Sequence, residues 1–257
     1  LVAAGIKVVG CYHPAFIARF DHELPKFRAA LQTAKEVLTK EWKAKPGAGT
    51  YRVLTTLTEV RELFDTFKRV APEKGVKAPV AFDTETGSLS PFQTEFPKLL
   101  CFSFSQVAGT AAVIPFDHVE SPFREGSKDR AGLTKMLCTF FADETIPKVA
   151  QNEKFDRQHI FEAIGTAPAN VRDSMLLHFV LDERRGTHGL DVLAYQYTGM
   201  GGYDKPLENY VKTHKEANPR RGGSYANIPG EILFPYAGMD ADVTIRAYAA
   251  MRKEKAF

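Results

Sequence analysis

The chain has 257 residues, 44% hydrophobic and 25% charged, which suits one large α/β domain or one domain plus an appendage and is ordinary for a globular protein. No apolar run approaches the ~18 residues of a membrane-spanning helix, and no basic n-region opens a signal peptide. Cys11, Cys101 and Cys138 are few and far apart, which argues against a disulfide framework or a structural zinc site and for a reducing, cytoplasmic setting. The net charge of +3 is uneven. Residues 1–50 hold eight Lys/Arg against four Asp/Glu, whereas the other 207 residues hold 26 against 27. A nucleic acid would therefore be held in a local groove with metal ions, not by a global positive field.

Residues 5–11 read as a short buried strand that His13-Pro14 ends. Residues 24–42 follow with Phe27, Leu31, Ala34 and Leu38 at helical spacing. Residues 43–50, charged and then rich in Gly and Ala, form a linker, so a boundary is expected between an appendage over 1–48 and a main domain over 49–257. The main domain opens with an edge strand at 51–54 and a helix over 57–70. A strand over 79–85 comes next, then a hairpin of 99–106 and 110–115 turning at Ala108-Gly109. Further on are a helix over 128–141, a strand over 148–151 and a helix over 154–164. Asp173 caps a helix over 174–182, and a short helix covers 190–197. Residues 199–230, rich in Gly, Pro, Asn and Lys, read as a long mobile excursion before a last helix over 235–253, with Pro235 in its first turn. This order predicts an α/β fold, a mixed sheet with helices on its faces, plus a short N-terminal strand-helix appendage.

Three motifs carry chemistry. Asp83 and Glu85 in Phe82-Asp-Thr-Glu-Thr86 lie two apart at the end of an apolar strand, so they share a face. Adjacent carboxylates repel unless a cation lies between them, and hard, oxygen-liking ions such as Mg²⁺ or Mn²⁺ suit them. A lone D-x-E is more often a solvent-facing acidic strand end. The second motif, Gln151-Asn-Glu-Lys-Phe-Asp156, leads a strand into a helix, where an acid is also favoured by the helix dipole alone. In the third, Tyr236-Ala-Gly-Met-Asp240-Ala-Asp242, Tyr236 and Asp240 share a helix face among small residues that permit close packing or approach of a ligand; a core tyrosine with surface acids is the plainer reading.

The three motifs, in this order and context, resemble those of the DEDDy exonuclease superfamily, in particular the proofreading domain of family A DNA polymerases, over residues 50–257. Ile114-Pro-Phe-Asp-His118, Asp173-Ser-Met-Leu-Leu177 and Gly186-Thr-His-Gly-Leu190 resemble further segments of phage-type members. The resemblance implies a ribonuclease-H-like fold with helices on both faces of the sheet. It implies two divalent ions, Mg²⁺ or Mn²⁺, on Asp83, Glu85, Asp156 and Asp240, with Tyr236 orienting the attacking water. Leu89 and Phe155 would meet the terminal base and Asn152 the substrate backbone; Asp242 is expected at the surface or just behind the metal ligands, and Asp173 as a cap. The expected activity is 3′-5′ hydrolysis of single-stranded or frayed DNA 3′ ends to 5′-mononucleotides, in the cytoplasm of a bacterial cell or phage-infected host. A ribonuclease-D-like enzyme acting on RNA would use the same carboxylates, and a non-catalytic DNA clamp would not need them.

Residues 8–19, with His13-Pro14, and the basic helix after them resemble the C-terminal segment of a uracil-DNA glycosylase-like domain. The segment lacks that family's water-activating residue, so no excision activity is expected. The leucine start and the end at Phe257 raise the expectation of a piece of a longer chain with a polymerase domain downstream.

Overall fold

A computed structural model describes residues 2–3, 6–39, 49–69, 78–93 and 95–254. An N-terminal part holds β1 (Val2–Ala3), β2 (Ile6–Lys7), α1 (Pro14–Ile17) and α2 (Leu24–Leu38). The main body holds β3 (Thr50–Val53), α3 (Leu57–Arg69), β4 (Val80–Glu85), β5 (Cys101–Ser105) and β6 (Thr110–Pro115). It continues with α4 (Arg130–Ala142), β7 (Lys148–Ala150), α5 (Glu153–Ile164), β8 (Val171–Asp173) and α6 (Ser174–Leu181). The last helices are α7 (Leu190–Leu193), α8 (Lys205–Thr213) and α9 (Gly230–Met251).

Six strands form one mixed sheet in the order β3-β6-β5-β4-β7-β8. The meander β4-β5-β6 is antiparallel, while β3, β7 and β8 join in parallel. Alternation along the strands sorts side chains onto two faces. Phe82, Phe102 and Phe104 enter one core, closed by Phe64 of α3 and by Phe140 and Phe141 of α4. The Phe64 and Phe140 rings stack at 4.8 Å, and Phe104 meets Phe140 edge-on at 5.2 Å. Each buried phenylalanine contributes about 2–3 kcal/mol. Ala81, Cys101, Val113 and Val149 point to the opposite face, where Leu233, Ala237, Ile245 and Tyr248 of α9 cover them. Helices thus lie on both faces, as expected. The same alternation puts Asp83 and Glu85 on the α9 face and Thr84 on the other.

Several expectations need correction. The strand over 5–11 is reduced to a two-residue pairing of β1 with β2, apart from the main sheet. Val8 and Tyr12 are exposed, not buried as expected. Helix α2 ends at Leu38, and the rest of its expected span, with linker residues 43–48, lies outside the described residues. A three-residue strand, β8, was not foreseen. The helix over 190–197 is α7 followed by a π-helical turn, Ala194–Thr198. The excursion over 199–230 is structured: it contains α8 and three 3-10 turns. Its Leu207, Ala217 and Ile228 are buried against Leu100, Val113 and Leu233, which compensates for a loop-like composition. Helix α9 starts at Gly230, so Pro235 lies inside it. The missing Pro235 N–H removes one intrahelical bond. The Gly230 N–H, donating to Glu120 Oε1 at 2.8 Å, fixes the earlier start.

Candidate active site

Strand β4 delivers two carboxylates and α9 a third. One carboxylate oxygen from each of Asp83, Glu85 and Asp240 lies within 4.8 Å of the others. Glu85 and Asp240 are buried and Asp83 is half-buried. Asp156 joins them from the first turn of α5, where its Oδ1 accepts from Thr84 Oγ1 at 2.6 Å. Thr84, on the far face of β4, therefore ties α5 to the strand that carries the acidic pair.

The electrostatics follow from burial. Burial lifts Asp83 well above the ordinary carboxylate range, and neighbouring Asp156, Asp240 and Glu85 lift it further. Glu85 rises for the same reasons, burial first and then Asp240 and Asp156. Burial raises Asp156 to about 7 against the bond from Thr84, and raises Asp240 to about 7 against bonds from the Tyr203 and Tyr236 hydroxyls. Four such acids need protons or a cation between them. Glu85 Oε1 is buried with no hydrogen-bond partner. An all-oxygen, anionic set with a free buried acceptor fits a hard divalent cation.

Glu85 borders a cleft of about 470 Å³. Thr84, Glu85, Leu89, Phe155 and Tyr236 line one part of it, and Val211, Lys212, Arg220 and Tyr225 of the former excursion another. Leu89 is 61% exposed and free to meet a ligand. The Phe155 ring lies 4.3 Å from that of His159, tilted by 41°, and His159 Nε2 lies 3.1 Å from Ser88 O. Burial, more than the nearby Asp240 and Glu85, pushes the Tyr236 hydroxyl well above its ordinary range.

Two of the singled-out residues make contacts that the sequence did not foresee. Asn152 does not line the cleft; it holds a left-handed conformation (φ 58°) at the start of α5, and its N–H donates to Asp173 Oδ1 at 3.2 Å. Of the two places expected for Asp242, the surface is ruled out: it is fully buried. It accepts from Tyr51 Oη (2.8 Å), the Gly109 N–H (2.8 Å) and Arg246 (2.8 and 3.1 Å), bracing α9 against the β5–β6 turn. Sequence reasoning missed Tyr203, which donates to Asp240 Oδ1, and Tyr225. Both lie in the Gly- and Pro-rich stretch, where no periodicity flags them.

The flanking segments hold the frame. His118 is buried; its Nε2 donates to Ile228 O at 2.9 Å and its Nδ1 accepts from the Glu120 N–H at 3.1 Å. Ser224 Oγ donates to Gly87 O at 2.6 Å, which fastens the 199–230 segment just after the Asp83-Thr-Glu85 strand end. Gln151 Nε2 donates to His188 O at 2.6 Å, joining the second acidic motif to the His-Gly-Leu segment.

Comparison with known proteins agrees with this arrangement. A family model described as 3′-5′ exonuclease matches residues 51–255. The DNA polymerase of Escherichia phage T5 is 32% identical over 231 residues, 87% of this chain and 25% of that protein. DNA polymerase I of Treponema pallidum is 28% identical, over 78% of this chain and 22% of that protein. The chain thus spans about a quarter of the length of these relatives. Among solved structures, a Trypanosoma brucei RNase D–GMP complex superposes with a TM-score of 0.58 at 14% identity, covering 80% of this chain and 57% of that one. At that identity the likeness establishes the fold, which is ribonuclease-H-like. With the family model spanning the whole sheet and its carboxylates, the chain belongs to the 3′-5′ exonuclease family of A-type DNA polymerases.

Proposed function

We propose that this chain hydrolyses the terminal phosphodiester at a DNA 3′ end, releasing 5′-mononucleotides, as the proofreading part of a polymerase. The observation that carries the reading is the carboxylate trio of Asp83, Glu85 and Asp240, with a partnerless Glu85 oxygen, beside an open cleft. Two divalent ions, Mg²⁺ or Mn²⁺, are proposed: Asp83, Glu85 and Asp240 would hold one, and Asp83 with Asp156 the other. When bound, such ions relieve charge at the reacting phosphate and lower the pKa of the attacking water.

The chain's own residues supply the rest. Leu89 and Phe155 offer apolar surface to a terminal base that has left its duplex, which favours single-stranded or frayed ends. The Tyr236 hydroxyl orients the water; with its pKa far above neutrality it positions and does not act as a base. Lys212 and Arg220 offer cations to the strand's phosphates. We assign the exonuclease unit to residues 49–257 and residues 1–48 to an appendage with the glycosylase-like resemblance and no excision activity. A polymerase domain elsewhere in the same parent chain, acting in the cytoplasm of a bacterium or phage-infected host, is supported by the relatives' names and fourfold greater length.

The test is degradation of a 5′-labelled single-stranded DNA oligonucleotide, and of its RNA counterpart, with Mg²⁺ and with EDTA. Stepwise shortening of the DNA only with Mg²⁺, reduced at least about a hundredfold in Asp83→Ala, is expected. Undiminished cleavage by Asp83→Ala refutes the site, and equal cleavage of RNA refutes the DNA assignment.

A further inference from the structure

We infer that Tyr203 is a positioning residue for Asp240, fixing that carboxylate so that a divalent ion is bound tightly. The inference rests on the metal reading above. The Tyr203 hydroxyl donates to Asp240 Oδ1, and its ring stacks on Tyr236 with centroids 6.1 Å apart and planes 12° from parallel. Tyr236 lines the cleft, whereas Tyr203 does not. Tyr203 touches the acidic cluster through Asp240 and Tyr236.

The backbone delivers this ring from a rigid base. Gly201 packs so closely on Tyr195 that a Cβ there would stand 2.1 Å from the ring, so the chain is seated on Tyr195 two residues before Tyr203. The need for a fixed donor comes from the acids. Asp240 is buried among carboxylates that repel it, and an unrestrained side chain would rotate away from them. A hydroxyl on one oxygen holds the rotamer and leaves the carboxylate turned toward its neighbours. Tyr236 lies beside Asp240 on the same helix face, but its place in the cleft wall leaves it open to recruitment by substrate or water. Loss of an outer partner of a metal ligand commonly costs about 10–100-fold in metal affinity.

The test is calorimetric titration of the whole chain with MnCl₂, for wild type, Tyr203→Phe, Asp240→Asn and the double variant. We expect Mn²⁺ binding about tenfold weaker in Tyr203→Phe. The metal-free melting temperature and near-ultraviolet circular dichroism should match wild type. Adding Tyr203→Phe to Asp240→Asn should weaken binding no further, because the tyrosine acts through the carboxylate. Equal or tighter binding by Tyr203→Phe overturns the inference. So does a full additional loss in the double variant, or an affinity loss that appears only with loss of the fold. If wild type itself binds no Mn²⁺, the metal reading fails instead, which separates the two.

Discussion

Asp173 accepts four backbone N–H groups: from Asn152 and Glu153 at the start of α5, and from Met175 and Leu176 at the start of α6. One carboxylate therefore caps two helices and holds Asn152 in its left-handed conformation. Each capping interaction is worth about 1 kcal/mol, so Asp173→Ala should lower unfolding stability by about 2–3 kcal/mol in urea titrations. Because α5 carries Asp156, activity should fall as well; unchanged stability would show that water replaces the cap without cost. At the same scale, Tyr236→Phe should slow hydrolysis at least tenfold while Mn²⁺ affinity changes less than threefold, since Asp240 keeps its bond from Tyr203. An affinity loss equal to that of Asp240→Asn would give Tyr236 a different part. The acids and Tyr236 stand out in the sequence because charge on an apolar strand end, or beside small residues on a helix, violates the local pattern. Tyr203 has no such contrast: it follows Gly201-Gly202 in a stretch with no period, and only the folded chain brings it to Asp240.

Among the elements, α9 does most to assemble the site, because it covers the sheet face that bears Asp83 and Glu85. Close approach needs Gly238, where a Cβ would stand 3.2 Å from Tyr51 and 3.4 Å from Val113. Asp242 then locks the helix by taking bonds from Tyr51, Gly109 and Arg246. Asp242→Ala strands the partly buried Tyr51 hydroxyl, a backbone N–H and part of a guanidinium. It should cost about 3 kcal/mol or more, read as a lowered urea midpoint with an unchanged slope. A cost below 1 kcal/mol would mean that α9 is held by apolar contacts alone. The long, strongly patterned elements, α3, α4, β4 and the β5–β6 hairpin, were legible because their apolar spacing exceeds background. Strand β8 was not, since Val171-Arg-Asp173 offers one apolar residue and takes its identity from pairing with β7. Helix α8 was hidden by flanking Gly and Pro, although Leu207, with partly buried Tyr210 and Val211, supplies a buried face. Pro235 drew the expected start of α9 a turn too late, because tertiary packing of Leu233 and Phe234 outweighs the one lost hydrogen bond.

For the whole molecule, the carboxylate cluster sets how stability depends on pH and on divalent ions. Asp156 and Asp240 move from an ordinary value of 3.8 to about 7 on folding, chiefly through burial. A folded-state pKa above the unfolded one means that the folded protein binds protons more tightly. The resulting stability is fully present below about pH 4 and is lost as pH rises through about 7. An isolated group moved this far is worth at most about 4 kcal/mol. Asp83 and Glu85 are raised as well, in the same direction and chiefly by burial. In EDTA the melting temperature should therefore fall between pH 5 and 7.5, by an amount on the order of 10 °C for a chain of this size. A divalent ion replaces the protons, so its affinity should rise with pH over the same window, and saturating Mg²⁺ should flatten the decline. Asp156→Asn/Asp240→Asn, which removes both charges, should flatten it without the ion. Scanning calorimetry at constant ionic strength reads all three profiles. A melting temperature in EDTA that rises from pH 5 to 7.5 would show that the cluster is already compensated by other charges, and would remove the electrostatic reason for a metal there.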